Sequence, residues 1–421
     1  MFRRNYRFWW PCAILALAAG SAIADPAGTT TTLKQAFEAA WQRQPEALSQ
    51  QIRQEAAAAQ QQAATRWTVE PVALELSTKT DRLNQNLGRD ETVAGISIPL
   101  WLPGERTRSV AVADAQARAI GSKVRAAQLR TAASVRDAYW TWQRARMDHG
   151  LAGELLGHAQ QLAQDVAKRV RAGDLARADQ HQTEGSVAAA EATLAEATGA
   201  LATAAQRLRT LTGLVPQVLA GATQGSAIGA EPMPVLPADS ATLLAAHPAV
   251  AELQDSADVA QRSAELAHVQ TRANPELTLA TTRDRGQLDE AYQNSITLGI
   301  RFPLGSSSRN QAKRASAQAD AMEAEAQLRL ERERLQGDVE AARVGLVSAQ
   351  TQVNASQRRA QLARESRAFF QKSFQMGETD LPTRLRMERE AVDAERQAAR
   401  SGIDLAAAQS ALRQTLGLLP E

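Results

Sequence analysis

The side chains able to do chemistry are few and scattered along the 421 residues. His149, His158, His181, His247 and His268 form neither an H-E-x-x-H pair nor any close ligand pair. Met147 lies near His149, but no carboxylate-histidine cluster stands at metal-ligand spacing, so both read as structural. The one cysteine, Cys12, sits in the N-terminal apolar segment and leaves the rest of the chain without disulfide or thiolate chemistry. "GLAGELLG", from Gly150 to Gly157, lacks the G-x-G-x-x-G order and an upstream strand, so it is no phosphate loop. With no nucleophile-base set either, the reading is a protein that is not an enzyme and has no cofactor or metal site. What remains is electrostatic. Two glycine-centred segments, "VRAGDLARAD" and "FQMGETDLPTRL", gather Arg171, Gly173, Asp174 and Asp179 in one and Met376, Gly377, Glu378, Thr379, Asp380 and Arg384 in the other. A glycine between two helical runs fits the left-handed position that ends a helix. Asp174 and the run Thr379-Asp380-Leu381-Pro382 are good starts for the next one. Repeated around a symmetry axis, Asp179, Asp380 and the other acids would form charged rings facing water, with Arg171 and Arg384 as bracing partners; ordinary helix capping is the competing reading.

These turns must be held by the elements on either side, and a repeat organises them. Pro99 matches Pro303, Gly173 matches Gly377 and Pro216 matches Pro420, all at an offset of 204. Upstream, Pro45 matches Pro248 at an offset of 203, so one residue is absorbed in a loop between strands. The chain divides into a segment 1–24, a first repeat 25–216, a Pro-, Gly- and Ala-rich linker 217–239 and a second repeat 240–421. Segment 1–24 has Arg3, Arg4 and Arg7, an apolar core and an Ala22-Ile23-Ala24 cleavage pattern, the form of a secretory signal. Its three arginines turn the formal charge from +2 to −1 for the remainder, so the charge gives no argument for nucleic acid. No other apolar run is long enough for a membrane-spanning helix.

Each repeat reads helix, strand, strand, very long helix, turn, helix. "VALELS" and "AGISIPL" in the first, "LTLATT" and "SITLGIRF" in the second, alternate apolar and polar residues, the pattern of a sheet with one apolar face. Outer-membrane strands alternate the same way, with lipid on one side and water on the other. The helices after Pro103 and after Gly305 run without proline to Gly173 and Gly377, or about 100 Å each at 1.5 Å per residue. Val135, Tyr139 and Trp142, Leu151 to Val166, and Val339, Leu346 and Val353 recur at coiled-coil spacing, among residues too polar for lipid. Four strands cannot close a membrane barrel, and an open edge in lipid leaves backbone groups unpaired, so strands in a membrane require an oligomer; a trimer would supply twelve. Trp67, Trp101 and Phe302 flank the strands where interfacial aromatics belong. The segments from Thr80 and from Arg283 between paired strands then face the exterior.

On "TLKQAFEAAWQRQPEAL" from Thr32, "ANPELTL" from Ala273, "GIRFPLGSSSRNQA" from Gly299 and the paired Gly173 and Gly377 turns, the chain resembles the TolC-type outer-membrane efflux family. The resemblance implies a mainly α fold with a small β part: a homotrimeric twelve-stranded outer-membrane β-barrel continuous with a periplasmic α-helical barrel. It implies the exit duct of a tripartite system, with a periplasmic adaptor (membrane fusion) protein and an inner-membrane resistance-nodulation-division pump as partners. It also implies docking and gating at the glycine turns. The "FPL…RNQA" segment is most similar to the branch serving heavy-metal exporters, whereas "IPLWLPGERTR" departs from that pattern. The alternatives are a duct for drug efflux or type I secretion, or a periplasmic adaptor, which normally carries one hairpin and a sizeable β domain.

Overall fold

The computed structural model describes residues 32–84, 86–216, 230–235, 240–304 and 307–421. The signal segment, most of the linker and Gly305 lie outside them. In chain order the elements are α1 (Leu33–Gln42), α2 (Pro45–Thr65), β1 (Ala73–Thr80), β2 (Asp90–Pro99), α3 (Glu105–Ala172) and α4 (Arg177–Thr212). There follow α5 (Ser240–Ala246), α6 (Pro248–Val269), β3 (Glu276–Arg285), β4 (Gln293–Arg301), α7 (Ser307–Gln375) and α8 (Leu381–Thr415). Where one helix is expected ahead of each strand pair there are two. Pro45 and Pro248 are the reason: each occupies the first helical position, where its missing N–H costs nothing, and each would break a helix running through it.

The strands form one antiparallel sheet in the order β1-β2-β3-β4, so β2 and β3 join the two halves and β1 and β4 are its edges. All four extend further than their alternating cores suggest. Thr80, Asp90, Glu91 and Arg283 to Arg285 belong to the ladders, because exposed charged and threonine residues pair their backbones as readily as apolar ones. The loops between paired strands shrink to residues 81–89 and 286–292.

The long helices hold 68 and 69 residues, about 100 Å each. α3 pairs with α4 and α7 with α8 as hairpins, while α6 lies between α3 and α7. The largest core joins Leu33 and Phe37 of α1, Val135, Tyr139, Trp140 and Trp142 of α3, Leu201 and Leu208 of α4, and Ile403 of α8. Leu208 and Val135 are fully buried, each contributing roughly 1.5–3 kcal/mol. Met147 packs against this core, and the 150–157 stretch lies inside α3. A second core near the hairpin ends joins Leu162 and Val166 to Phe374, Leu381 and Leu385. Of the coiled-coil positions, Leu151, Leu155 and Leu346 are only half-buried. Charge fixes the sliding register that alanine-rich surfaces leave open. Arg118 meets Asp258 at 2.7 Å and Arg130 meets Glu252 at 2.6 Å between α3 and α6, and Arg396 meets Asp148 at 2.8 Å between α8 and α3.

Candidate functional site

At the far end of the hairpins both glycines adopt the left-handed conformation, Gly173 with φ +87° and Gly377 with φ +79°. Backbone N–H groups then turn back to close each helix: Asp174 donates to the Arg169 carbonyl (3.0 Å) and Glu378 to that of Ser373 (3.0 Å). The acids are divided by role. Asp380 caps α8, accepting from the Thr383 N–H at 3.2 Å, and hydrogen bonding from Thr383 holds its carboxyl below the usual range. Asp179 accepts from the Ala176 N–H at 3.0 Å at the start of α4. Asp174 and Glu378 are exposed, as are Arg171 and Met376, and the Thr379 hydroxyl meets that of Ser373 at 2.6 Å.

The two arginines do not brace these acids within the protomer. Arg171 donates to the Ala167 carbonyl of its own helix. Arg384 lies over the Phe374 ring at 4.8 Å, and Arg169 lies over the same ring at 5.0 Å. Burial pushes the Arg384 pKa down, opposed by Glu388 and Asp165. Phe374 is thus the anchor of the tip, a residue that the sequence reading passed over although an aromatic three residues before a turn glycine signals it.

At the other end, register assigns side chains to faces. One face carries the rows Ile98–Leu277–Ile300, Leu74–Ile96–Leu279–Leu298 and Leu76–Ala94–Thr281–Ile296; the opposite face carries Ser77–Val93–Thr282–Ser295 and Glu276–Arg301. Leu74, Leu76, Ile296, Leu298 and Ile300 are all largely exposed on the isolated chain. Trp67, Trp101 and Phe302 gather at the end where the helices begin, with Trp101 Nε1 donating to the Arg66 carbonyl at 3.1 Å. Tyr292 stands at the other end. Ten residues separate it from Phe302 along β4, about 34 Å of strand. At the usual tilt of about 35–45° that projects to roughly 25 Å, the height of an outer-membrane barrel's apolar band.

Sheet and helices are welded at Glu105. This carboxylate is 2 % exposed, and it accepts from the Leu102 N–H (3.0 Å), the Asn274 amide (2.6 Å) and the Gln270 amide (2.7 Å). The β2-to-α3 join of the first half is thereby tied to the α6-to-β3 join of the second. Nearer mid-length, Glu231 from the linker segment is buried between Arg136 of α3 and Arg413 of α8, which pins this end of the linker to the helices, although Met233 and Val235 beside it are exposed. Among the described residues no group of His, Cys, Asp or Glu stands close enough to hold a metal, and no helix is long and apolar enough to cross a membrane.

Residues 36–214 match the family described as outer membrane efflux protein. The fold is similar to that of several solved outer-membrane channels. CusC superposes with a TM-score of 0.77 at 18 % identity, covering 93 % of both chains. The outer membrane protein VceC of Vibrio cholerae gives 0.73 at 18 %, covering 92 % of this chain and 97 % of its own. The open outer membrane channel MtrE of Neisseria gonorrhoeae gives 0.72 at 16 %, covering 92 % and 89 %. No curated protein matches the chain in sequence.

Proposed function

We propose that the protein is a homotrimeric outer-membrane exit duct, its four-stranded sheets closing a twelve-stranded barrel and its helices reaching into the periplasm. One observation carries this reading: a sheet with an apolar face of membrane height and two unpaired edges runs directly into helices of about 100 Å. In lipid such edges must pair, and only other copies of the chain offer matching strands. The twofold occurrence of the element order α-α-β-β-α-α supports tandem repeats, and extends the family likeness of residues 36–214 to the second half. An adaptor arriving from an inner-membrane pump of the resistance-nodulation-division type would dock on the tips, at Arg171, Gly173, Asp174, Met376, Gly377, Glu378 and Thr379. Rings formed by Asp179, Asp380 and Arg384 would gate the inner mouth. The "FPL…RNQA" resemblance favours heavy-metal cations as cargo.

Edge pairing is directly testable because the segment after the signal contains no cysteine. Ser77 on β1 and Ser295 on β4 lie in one row of the polar face. The double variant Ser77→Cys with Ser295→Cys, treated in intact membranes with a short bismaleimide, should give covalent trimers on denaturing electrophoresis. Monomers alone, under conditions where each cysteine is shown to react, would overturn the assembly. For cargo, loss of the gene should sensitise cells to metal salts; sensitivity to drugs alone would move the duct to another branch.

A further inference from the structure

Beyond the three apolar rows the lipid-side face changes abruptly. The next row is Thr78–Thr92–Arg283–Asn294, and the one after it sets Thr80, Asp90 and Arg285 beside Tyr292. Arg283 and Arg285 both stack on the Tyr292 ring, their guanidinium carbons 4.2 Å and 4.8 Å from its centroid. The ring is itself fixed, since its hydroxyl donates to Asp90 at 3.2 Å. Asp90, the only carboxylate on these two rows, is thus held by Tyr292 and by Arg82 at 3.8 Å. Neither Arg283 nor Arg285 forms an ion pair among the described residues; Arg285 uses one N–H on the Gly88 carbonyl and Arg283 uses none. Two guanidinium groups are therefore oriented by one aromatic ring and left with free donor edges. They stand on the apolar side of the sheet, at the end away from the helices, where the apolar band gives way to headgroups.

We propose that Arg283 and Arg285, oriented by Tyr292, form a binding site for the phosphate group of a lipid in the outer leaflet, with one such site per protomer. The proposal rests on the outer-membrane reading above, which alone makes this face the lipid side. Chemistry selects the ligand. A guanidinium presents a planar fork of N–H donors that matches phosphate, and two forks on a shared ring give a fixed bidentate geometry. Cationic side chains just beyond an apolar band can stay only if their heads reach the interface, and here the ring leads both heads outward. Asn294, opposite Arg283 in the ladder, adds a neutral amide donor on the same face. An acyl chain of the bound lipid would lie along Ile296, Leu298 and Ile300, which are 80 %, 72 % and 54 % exposed. A lumenal role is disfavoured, because in the ladder these arginines share the face of Leu277 and Leu279 and not that of Glu276 and Thr278.

The test uses the full-length trimer purified in neutral detergent, titrated with diphosphorylated lipid A or with the same lipid stripped of its phosphates, bound lipid being counted by native mass spectrometry. Up to three phosphorylated lipids per trimer are expected to bind, each about tenfold more weakly in Arg283→Gln and with near-normal affinity in Arg283→Lys. Dephosphorylated lipid should bind no better to the wild type than to Arg283→Gln. Equal retention of both lipids by the wild type would overturn the proposal, as would an Arg283→Gln trimer with unchanged affinity. Displacement of the lipid by inorganic phosphate at comparable concentration would overturn it too, by showing a site for the free anion. The Arg283 side chain makes no hydrogen bond or ion pair among the described residues, so trimer yield and outer-membrane residence of the variant should equal the wild type. A wild-type protein that forms no trimer in the cysteine experiment would instead sink the duct reading itself.

Discussion

Glu231→Ala is the most discriminating perturbation of the protein's middle. The carboxylate is 3 % exposed and serves two buried cations: Oε1 lies 2.7 Å from Arg136 Nη2 and 3.3 Å from Arg413 Nε, while Oε2 accepts from Arg136 Nε at 3.1 Å and from the Ser410 hydroxyl. Removing it strands two guanidinium groups, at 4 % and 3 % exposure, in a medium that cannot hydrate them. Breaking one buried pair costs about 3–5 kcal/mol. The cations keep some partners, Arg136 the Leu418 carbonyl and Arg413 the Pro232 carbonyl and Glu421, which sets the expectation near the lower end. A chain of this length with several separate cores does not unfold in one step, so hydrogen exchange on the purified protein is the suitable assay. Amides at the end of α8 and around Arg136 should exchange on the order of a hundredfold faster, about 3 kcal/mol. The tip amides near Gly173, 37 residues further along α3, or about 55 Å away, should be unchanged. A triple replacement, Arg136→Met with Glu231→Leu and Arg413→Met, removes the charges together and should cost less than the single change. Unchanged exchange in Glu231→Ala, or a triple variant worse than the single one, would refute the reasoning.

Three further outcomes are expected. Gly173→Val with Gly377→Val should cost about 1–2 kcal/mol per site from positive φ alone, since an added Cβ meets nothing within 4 Å at either glycine; trimers should persist in the outer membrane while export and adaptor crosslinking fall. His247 caps α6 through Nδ1, its buried Nε2 has no partner, and burial lowers its pKa from 6.5. A folded value below the unfolded one means that the unfolded chain takes the proton first, so stability is complete above about pH 6.5 and declines as pH falls below it. His247→Asn, which keeps a capping side chain, should flatten that decline in pH-dependent hydrogen exchange around α6. An epitope after Leu83, 99 % exposed, should be labelled on intact cells; the same insertion after Gly88 should disrupt the loops, because Gly88 is buried against Leu288 with φ +93°.

That contrast between Leu83 and Gly88 shows where sequence reading stops. Period-two alternation and two proline-free helical runs expose the architecture, because both are repetitive consequences of burying one face. The tip glycines are legible too, since a positive φ between helices leaves few residue choices. Contacts between distant segments leave no such trace. Glu105 looks like one of many helix-start acids in a chain with 46 Asp and Glu, and only the approach of Asn274 and Gln270 makes it a clamp. Glu231 sits in a Pro- and Gly-rich stretch that reads as a linker, yet two arginines 277 positions apart in sequence converge on it. Arg283 falls in what reads as an exterior loop, because charge there outweighs the alternation that the backbone ladder nevertheless continues.

The placement of the Glu105, Glu231 and Phe374 clusters has a mechanical consequence. Glu105 fixes the strands to the helix starts, Glu231 fixes α3 to the C-terminal end of α8, and Phe374 fixes the two hairpins to each other at the tip. Between the last two, the largest core continues tipward of the Glu231 level through Trp140 and Trp142 of α3 and Ile403 of α8; beyond Ile403, α3 and α8 are linked by side-chain ion pairs such as Arg396 with Asp148 at 2.8 Å, partly exposed. Exposed pairs are worth about 0–1 kcal/mol each, whereas breaking the buried Glu231 cluster by losing one partner costs about 3–5 kcal/mol. On the duct reading proposed above, rearrangement of the inner mouth is therefore cheapest between the Ile403 level and the Phe374 core. Movement there need not disturb the sheet, so if the protein is the duct proposed above, its periplasmic end can change while its barrel stays sealed.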